Sequence, residues 1–205
     1  MALGDLYITN AELRSYMKLD KPGDGNDGVI NDVVAAVTQE INRHCGRQFQ
    51  LASTATARVF SPLNQHALIM DDVSSATGFI LKTDEDNDGV FETTWDAADY
   101  ELSPLNQVQY GQEGWPYFVV KAVGQKYFRY SRRVNVQITA KWGWSAVPAP
   151  VKQAAKIMAA DAFQLKDARL GLAGSDTFGQ VIRVKDSGIA CAKLKSYRRG
   201  RLLVA

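Results

Sequence analysis

Residues 134–165 read VNVQITAKWGWSAVPAPVKQAAKIMAADAFQL, and the period of their apolar positions changes part-way along. Up to Lys141, Val134, Val136, Ile138 and Ala140 alternate with Asn135, Gln137 and Thr139, the two-residue repeat of a half-buried strand. After Pro148 and Pro150 the repeat becomes helical, with Val151, Ala154, Ala155, Met158, Ala162 and Leu165 on one stripe and Gly171 as its expected end. Ala154, Ala155, Ala159, Ala160 and Ala162 leave that helix narrow enough for a neighbour to approach closely. The stretch is the far border of a β-rich block, and a helix must follow it that cannot bury its stripe alone.

Working back toward the N-terminus, the two-residue period holds from Thr56 to about Trp144. It predicts strands over 57–60, 67–70, 78–82, 90–95, 100–102, 117–123, 127–130 and 134–141. Turn residues separate them at short intervals, which predicts a small antiparallel sandwich or barrel. Before the block, Thr9-Asn10-Ala11-Glu12 is a capping box that opens a short helix through Leu13, Tyr16 and Met17. A breaker-rich loop follows over 21–28. Ile30, Val33, Val34, Val37, Ile41 and Cys45 then predict a helix over 27–45, closed by Gly46. Beyond the alanine-rich helix come a Gly-rich loop, a hairpin expected over 177–184, and a short basic helix over about 187–197. The expected class is α+β. Residues 1–54 and 146–205 form a small core of antiparallel helices with a basic C-terminal arm, and 55–145 are an inserted antiparallel sandwich or barrel-like block.

The chain has 205 residues, 46% of them hydrophobic and 22% charged. Area scaling at this mass buries about 70% of the unfolded surface, enough for a core without disulfide or metal staples. Cys45 and Cys191 sit in unrelated contexts, and no apolar run approaches a membrane span. The chain therefore reads as a soluble protein kept in a reducing compartment. Its net charge of +2 hides an asymmetry. Residues 150–205 hold eleven basic and four acidic side chains, whereas residues 1–54 and 55–149 are each net acidic. Such a block marks an interaction surface or a solvated basic tail.

Two local motifs stand out. Asp84-Glu85-Asp86-Asn87-Asp88-Gly89 opens like an EF-hand calcium loop, with acids at positions one, three and five and the turn glycine at six. Position twelve is Trp95 instead of a bidentate Glu, although Glu92 stands at position nine. Asp84, Asp86, Asp88 and Glu92 are thus the candidate metal ligands, and calcium the one candidate ion. A tight β-turn accounts for the same residues. Lys126-Tyr127-Phe128-Arg129-Tyr130-Ser131-Arg132-Arg133 interleaves bases and aromatics, as single-strand nucleic-acid platforms do, and an alternating strand would also produce it. Neither His44 nor His66 has a metal-spaced partner, and no nucleophile elbow, P-loop or Cys-x-x-Cys pair occurs. The chain is expected not to be an enzyme.

In their order, the landmarks resemble the head-to-tail connector proteins, also called adaptor or head-completion proteins, of long-tailed double-stranded DNA bacteriophages. Ile8-Thr9-Asn10-Ala11-Glu12-Leu13 comes first. The second helix then ends in Ile41-Asn42-Arg43-His44-Cys45-Gly46-Arg47-Gln48-Phe49, the most family-like stretch. Val136 to Trp144, Val147-Pro148 and the alanine-rich helix continue the resemblance. Gly174-Ser175-Asp176-Thr177-Phe178-Gly179 and Leu194-Lys195-Ser196-Tyr197-Arg198-Arg199 close it. The β block departs from the plainest, mostly helical members.

The resemblance implies a structural protein of the virion neck, made in the host bacterial cytoplasm. It implies a homo-oligomeric ring, usually of twelve, docked under the portal protein and carrying the stopper or tail. Double-stranded DNA would pass through its lumen without sequence-specific binding, and no membrane is involved. It further implies a C-terminal arm reaching the portal, here Lys193, Lys195, Tyr197, Arg198, Arg199 and Arg201, with Tyr197 as the anchor. Two other classes compete. A β-rich module binding a sugar or protein, with or without calcium, would show a ligand-linked rise in melting temperature. A basic DNA-binding protein would show affinity for duplex that falls steeply with salt.

Overall fold

The computed structural model describes residues 6–19, 25–129, 131, 133–165, 172–175, 181–183 and 188–200. The chain divides into two compact units, Met1–Arg47 with Val147–Ala205, and Gln48–Ala146. No helix among the described residues is long and apolar enough to cross a membrane.

The first unit is helical. Helix α1 (Asn10–Met17) begins at the capping box, where Glu12 N donates to Thr9 Oγ1 at 3.1 Å and Thr9 N donates to Glu12 Oε2 at 2.8 Å. Helix α2 (Asp27–Cys45) buries Ile30, Val34, Val37, Ile41 and Cys45, and Gly46 closes it with φ +62°. Helix α3 (Ala149–Leu165) buries Val151, Ala154, Ala155, Ala159, Ala160 and Phe163 and packs on both α1 and α2. Small side chains on its buried face allow that double contact. Arg14, itself buried, binds Asp27 at 2.8 Å and so ties α1 to the start of α2. Lys156 of α3 reaches Glu12 at 3.8 Å.

Strands β8 (Leu172–Ser175) and β9 (Val181–Arg183) pair as an antiparallel hairpin, whose first strand lies earlier in the chain than the expected 177–184. Residues 176–180 and Gly171 lie outside the described residues. Helix α4 (Gly188–Leu194) and a 3-10 turn (Lys195–Tyr197) follow, with α4 against α3.

The second unit is two antiparallel sheets facing one another. Strands β1 (Thr56–Phe60), β7 (Val136–Ala140), β3 (Ile80–Thr83) and β4 (Thr93–Thr94) lie side by side in that order. Strands β2 (Ala67–Val73), β6 (Tyr117–Ala122) and β5 (Tyr100–Ser103) form the other sheet. Alternation along β7 puts Val136, Ile138 and Ala140 inward, where they meet Leu81, Leu68, Met70 and Val120, with Trp95, Trp142 and Phe128 filling the gaps. Of the two expected architectures the sandwich holds. Backbone hydrogen bonds join the sheets at one corner, where Gly143 N donates to Asp72 O at 2.7 Å and Ser74 N to Lys141 O at 3.3 Å, and the sheets do not close into a barrel.

Gly143 cannot be replaced there. Its φ is +105°, and a Cβ would stand 1.7 Å from Gln50 O.

Two expected strands are corrected. Within 90–95 the strand is reduced to Thr93–Thr94, with Trp95 N donating to Leu81 O at 3.0 Å just beyond it, and it starts late because Val90 N is taken by Asp88 Oδ1 in the preceding turn. Residues 127–129 are not a strand. Phe128 N instead donates to Gln65 O at 2.8 Å, and Arg129 O accepts from Asn135 Nδ2 at 2.8 Å. Tyr130 and Arg132 lie outside the described residues.

Candidate functional site

The Asp84 turn joins β3 to β4 and is built from its own acids. Asp84 accepts from Asn87 N at 2.7 Å and from Gly89 N at 2.9 Å. Asp86 accepts from Asp88 N, Asp88 from Val90 N, and Glu92 from Glu85 N. Asn87 and Gly89 take the left-handed conformations the turn requires, with φ +69° and +99°. The carboxylates of Asp84, Asp86, Asp88 and Glu92 are thereby drawn within 4.8 Å of one another. Desolvation works to raise the Asp84 pKa, yet the amides of Gly89 and Asn87 outweigh it and hold the carboxyl below its usual value.

Four carboxylates at that spacing suit a hard cation with oxygen ligands. The twelfth position contributes nothing, since Trp95 is turned into the core with its Nε1 donating to Thr83 Oγ1 at 3.1 Å. Any ion would also sit beside two guanidinium groups. Arg129 Nη1 donates to Glu85 O and Arg133 Nη1 to Asn87 O, both at 2.8 Å. The basic-aromatic segment and the acidic turn, read separately in the sequence, thus hold each other. Phe128 of that segment stacks on Trp95 at 4.9 Å and is buried, while Tyr127 is exposed.

Between the turn and this segment lies a cavity of about 120 Å³, lined among others by Trp95, Lys126, Tyr127, Arg129 and Asn135. Asn135 is only 2% exposed, and its Oδ1 has no hydrogen-bond partner. Lys126 Nζ stands 5.6 Å from the Trp95 ring centre and 3.5 Å from Asp99. Sequence reading passed over Asn135 and took Trp95 only as a missing ligand. Nothing in an isolated Asn tells whether its amide will be satisfied.

The C-terminal arm belongs to the helical unit, and its residues separate into two sets. Leu194 and Tyr197 are buried, Tyr197 to 3%, and burial raises the Tyr197 pKa. Arg199 N donates to Cys45 O at 2.8 Å, which fastens the arm to the end of α2. Lys195 and Arg198 are exposed, and Lys193 and Arg199 are half-buried. Arg201 lies outside the described residues. Tyr197, expected to anchor a partner, packs into its own chain, because between charged neighbours it is the side chain with most apolar surface to bury.

No protein-family model matches the sequence, and no curated protein matches it. Its fold is similar to solved structures. A chain from the structure described as "Neck of empty GTA particle computed with C6 symmetry" superposes with a TM-score of 0.56 at 20% identity, covering 96% of this chain and 92% of that one. A chain from "Virion of native gene transfer agent (GTA) particle" gives 0.55 at 20% identity and the same coverages. A chain from "Neck of native GTA particle computed with C12 symmetry" gives 0.54 at 20% identity, covering 94% and 89%. The likeness spans both units and is one of fold.

Proposed function

We propose that this chain is a structural, non-catalytic component of the neck of a phage-like particle. In this reading it forms a homo-oligomeric ring that docks under the portal, extends the DNA channel and carries the stopper or tail. The observation that carries the reading is the shared fold over 96% of the chain with a protein of a particle neck. Two features support it. A chain of two units has distinct faces to offer, and a cyclic ring needs two different faces per subunit. The basic surplus of the C-terminal quarter is multiplied by every copy, so a ring of twelve concentrates about 84 positive charges at one level and calls for an acidic partner.

Within the arm, Lys193, Lys195 and Arg198 are the residues that would meet the portal, with Leu194 and Tyr197 holding them from behind. Removing the arm would strip core side chains as well as charge. The clean variant is therefore the charge reversal Lys195→Glu with Arg198→Glu. Native mass spectrometry of the protein mixed with the portal ring of its own particle tests the whole reading. A portal complex that gains a ring of copies supports it, and a chain that ignores the portal removes it.

The Asp84 turn favours a second reading, a β-unit that binds calcium. Its four clustered carboxylates are the observation behind it.

A further inference from the structure

We propose that Ile189 is the apolar anchor of the C-terminal arm, and that it enters an apolar socket bordered by carboxylates on the portal. The inference rests on the docking reading. It deepens that reading by naming the side chain that would carry the contact and the chemistry that would receive it.

Helix α4 is apolar on two sides. At about 100° per residue, Ala190 and Leu194 share its inward face. Both are buried, as is Tyr197 in the 3-10 turn that follows. Ile189, Ala192 and Ser196 share the outward face, and all three are exposed. The inward groups hold the helix to its own unit: α4 packs on α3, and just past the turn Arg199 N donates to Cys45 O at 2.8 Å. Ile189 is 69% exposed, more than any other valine, leucine or isoleucine among the described residues. A single exposed aliphatic is ordinary on a protein surface. This one stands on a helix fixed from behind, and a β-branched side chain on a helix has one strongly preferred rotamer. An apolar group already held in place loses little entropy on docking.

The charges around it define what it docks into. Viewed down the helix, Lys193 stands beside Ile189 on one side and Lys195 beside Ala192 on the other. Arg198 and Arg199 follow, and residues 188–200 contain no acid. An apolar centre within a basic rim is matched by an apolar socket within an acidic one. The same face of a second copy would set lysine against lysine. Nucleic acid would satisfy the lysines and leave Ile189 against sugar and phosphate. A protein of acidic surface satisfies centre and rim together, and it is the partner that the basic surplus of this quarter calls for. The anchoring role expected of Tyr197, which packs into its own chain, falls to Ile189.

Photo-cross-linking tests this in the full-length protein, with benzoylphenylalanine at position 189 and the portal ring of its own particle as the partner. We expect adducts on portal residues that have Asp or Glu beside them. Ile189→Ala should weaken attachment about thirtyfold and Ile189→Val by no more than about tenfold, each with the unfolding midpoint of the free chain unchanged. The loss in Ile189→Ala should be equal at low and high salt, whereas the loss in Lys195→Glu with Arg198→Glu should shrink as salt screens the rim. Attachment that survives Ile189→Ala overturns the anchor and leaves the docking reading standing. So do adducts that fall on another copy, on the chain's own residues or on a portal surface without acids. A lowered unfolding midpoint in Ile189→Ala would give the side chain a place in the fold and overturns the anchor too. A chain that ignores the portal overturns both readings.

Discussion

The helical unit and the β-unit solve the same problem, charge beside a small core, in opposite ways. In the helical unit a basic segment is held by its apolar members, Leu194 and Tyr197, and its charges face outward. In the β-unit the charges do the holding: the acidic turn accepts from its own amides, while Arg129 and Arg133 clamp its carbonyls. A charged segment anchored by side-chain burial keeps its charges for a partner. One folded on its own polar groups spends them internally.

The largest expected effect breaks the β-unit alone. Gly143→Ala must move Gln50 O or rebuild the corner between the sheets, and should cost more than about 3 kcal/mol. Tryptophan fluorescence during urea unfolding would report it, and a cost under 1 kcal/mol would mean that the corner yields.

Tyr197→Ala is the counterpart in the helical unit. Loss of a buried aromatic should cost about 3 kcal/mol, while Lys195→Glu with Arg198→Glu should leave the unfolding midpoint nearly unchanged and reduce only portal attachment. A destabilised charge-reversal variant would mean that the exposed charges support the fold after all.

A smaller effect follows from Cys45, whose thiol burial pushes up to about 11 from an ordinary 9. The unfolded chain loses this proton first. The stabilisation is therefore complete below pH 9 and fades as the pH rises from 9 to 11, and a Cys45→Ala variant should lack that decline in urea titrations at stepped pH. A thiol reagent should label exposed Cys191 in the native protein and reach Cys45 only on unfolding.

The smallest effect belongs to the Asp84 turn. Millimolar calcium should raise the melting temperature by a few degrees at most, and Asp86→Asn with Asp88→Asn should abolish the rise. A flat titration leaves the turn as a self-satisfied hairpin connection. Since the Asp84 carboxyl is held below its usual value, its contribution is present above the ordinary carboxylate range and is lost as the pH falls through it.

The second helix was legible to the residue. The spacing predicted 27–45 and the structure has Asp27–Cys45, because stripe, capping box and closing glycine all act within a few residues. The stripe of α3 was misplaced in its second half, where Ala159, Ala160 and Phe163 are buried and Leu165, expected on the stripe, is exposed. Strands were legible where one face is buried, as in β7, and misread at 127–129, where alternation survives without pairing. There Phe128 is drawn in by Trp95 and the backbone is claimed by Gln65 and Asn135, partners that no local pattern names. Of the candidate sites, the clustering of Asp84, Asp86, Asp88 and Glu92 was readable, since one turn contains all four. The division of the arm into buried Tyr197 and exposed Lys195 and Arg198 was not.

The amino-acid sequence by itself determined the α+β class, the helix limits, the core face of most strands and the segregation of positive charge. Each depends on periodicity or on neighbours within one turn. Only the tertiary structure decided that the sheets stay an open sandwich, that Gly143 must be glycine, that the basic-aromatic segment clamps the acidic turn, and that Asn135 comes to line a cavity. Those outcomes depend on groups brought together from distant parts of the chain, and the space and hydrogen bonds they share exist only once both are in place.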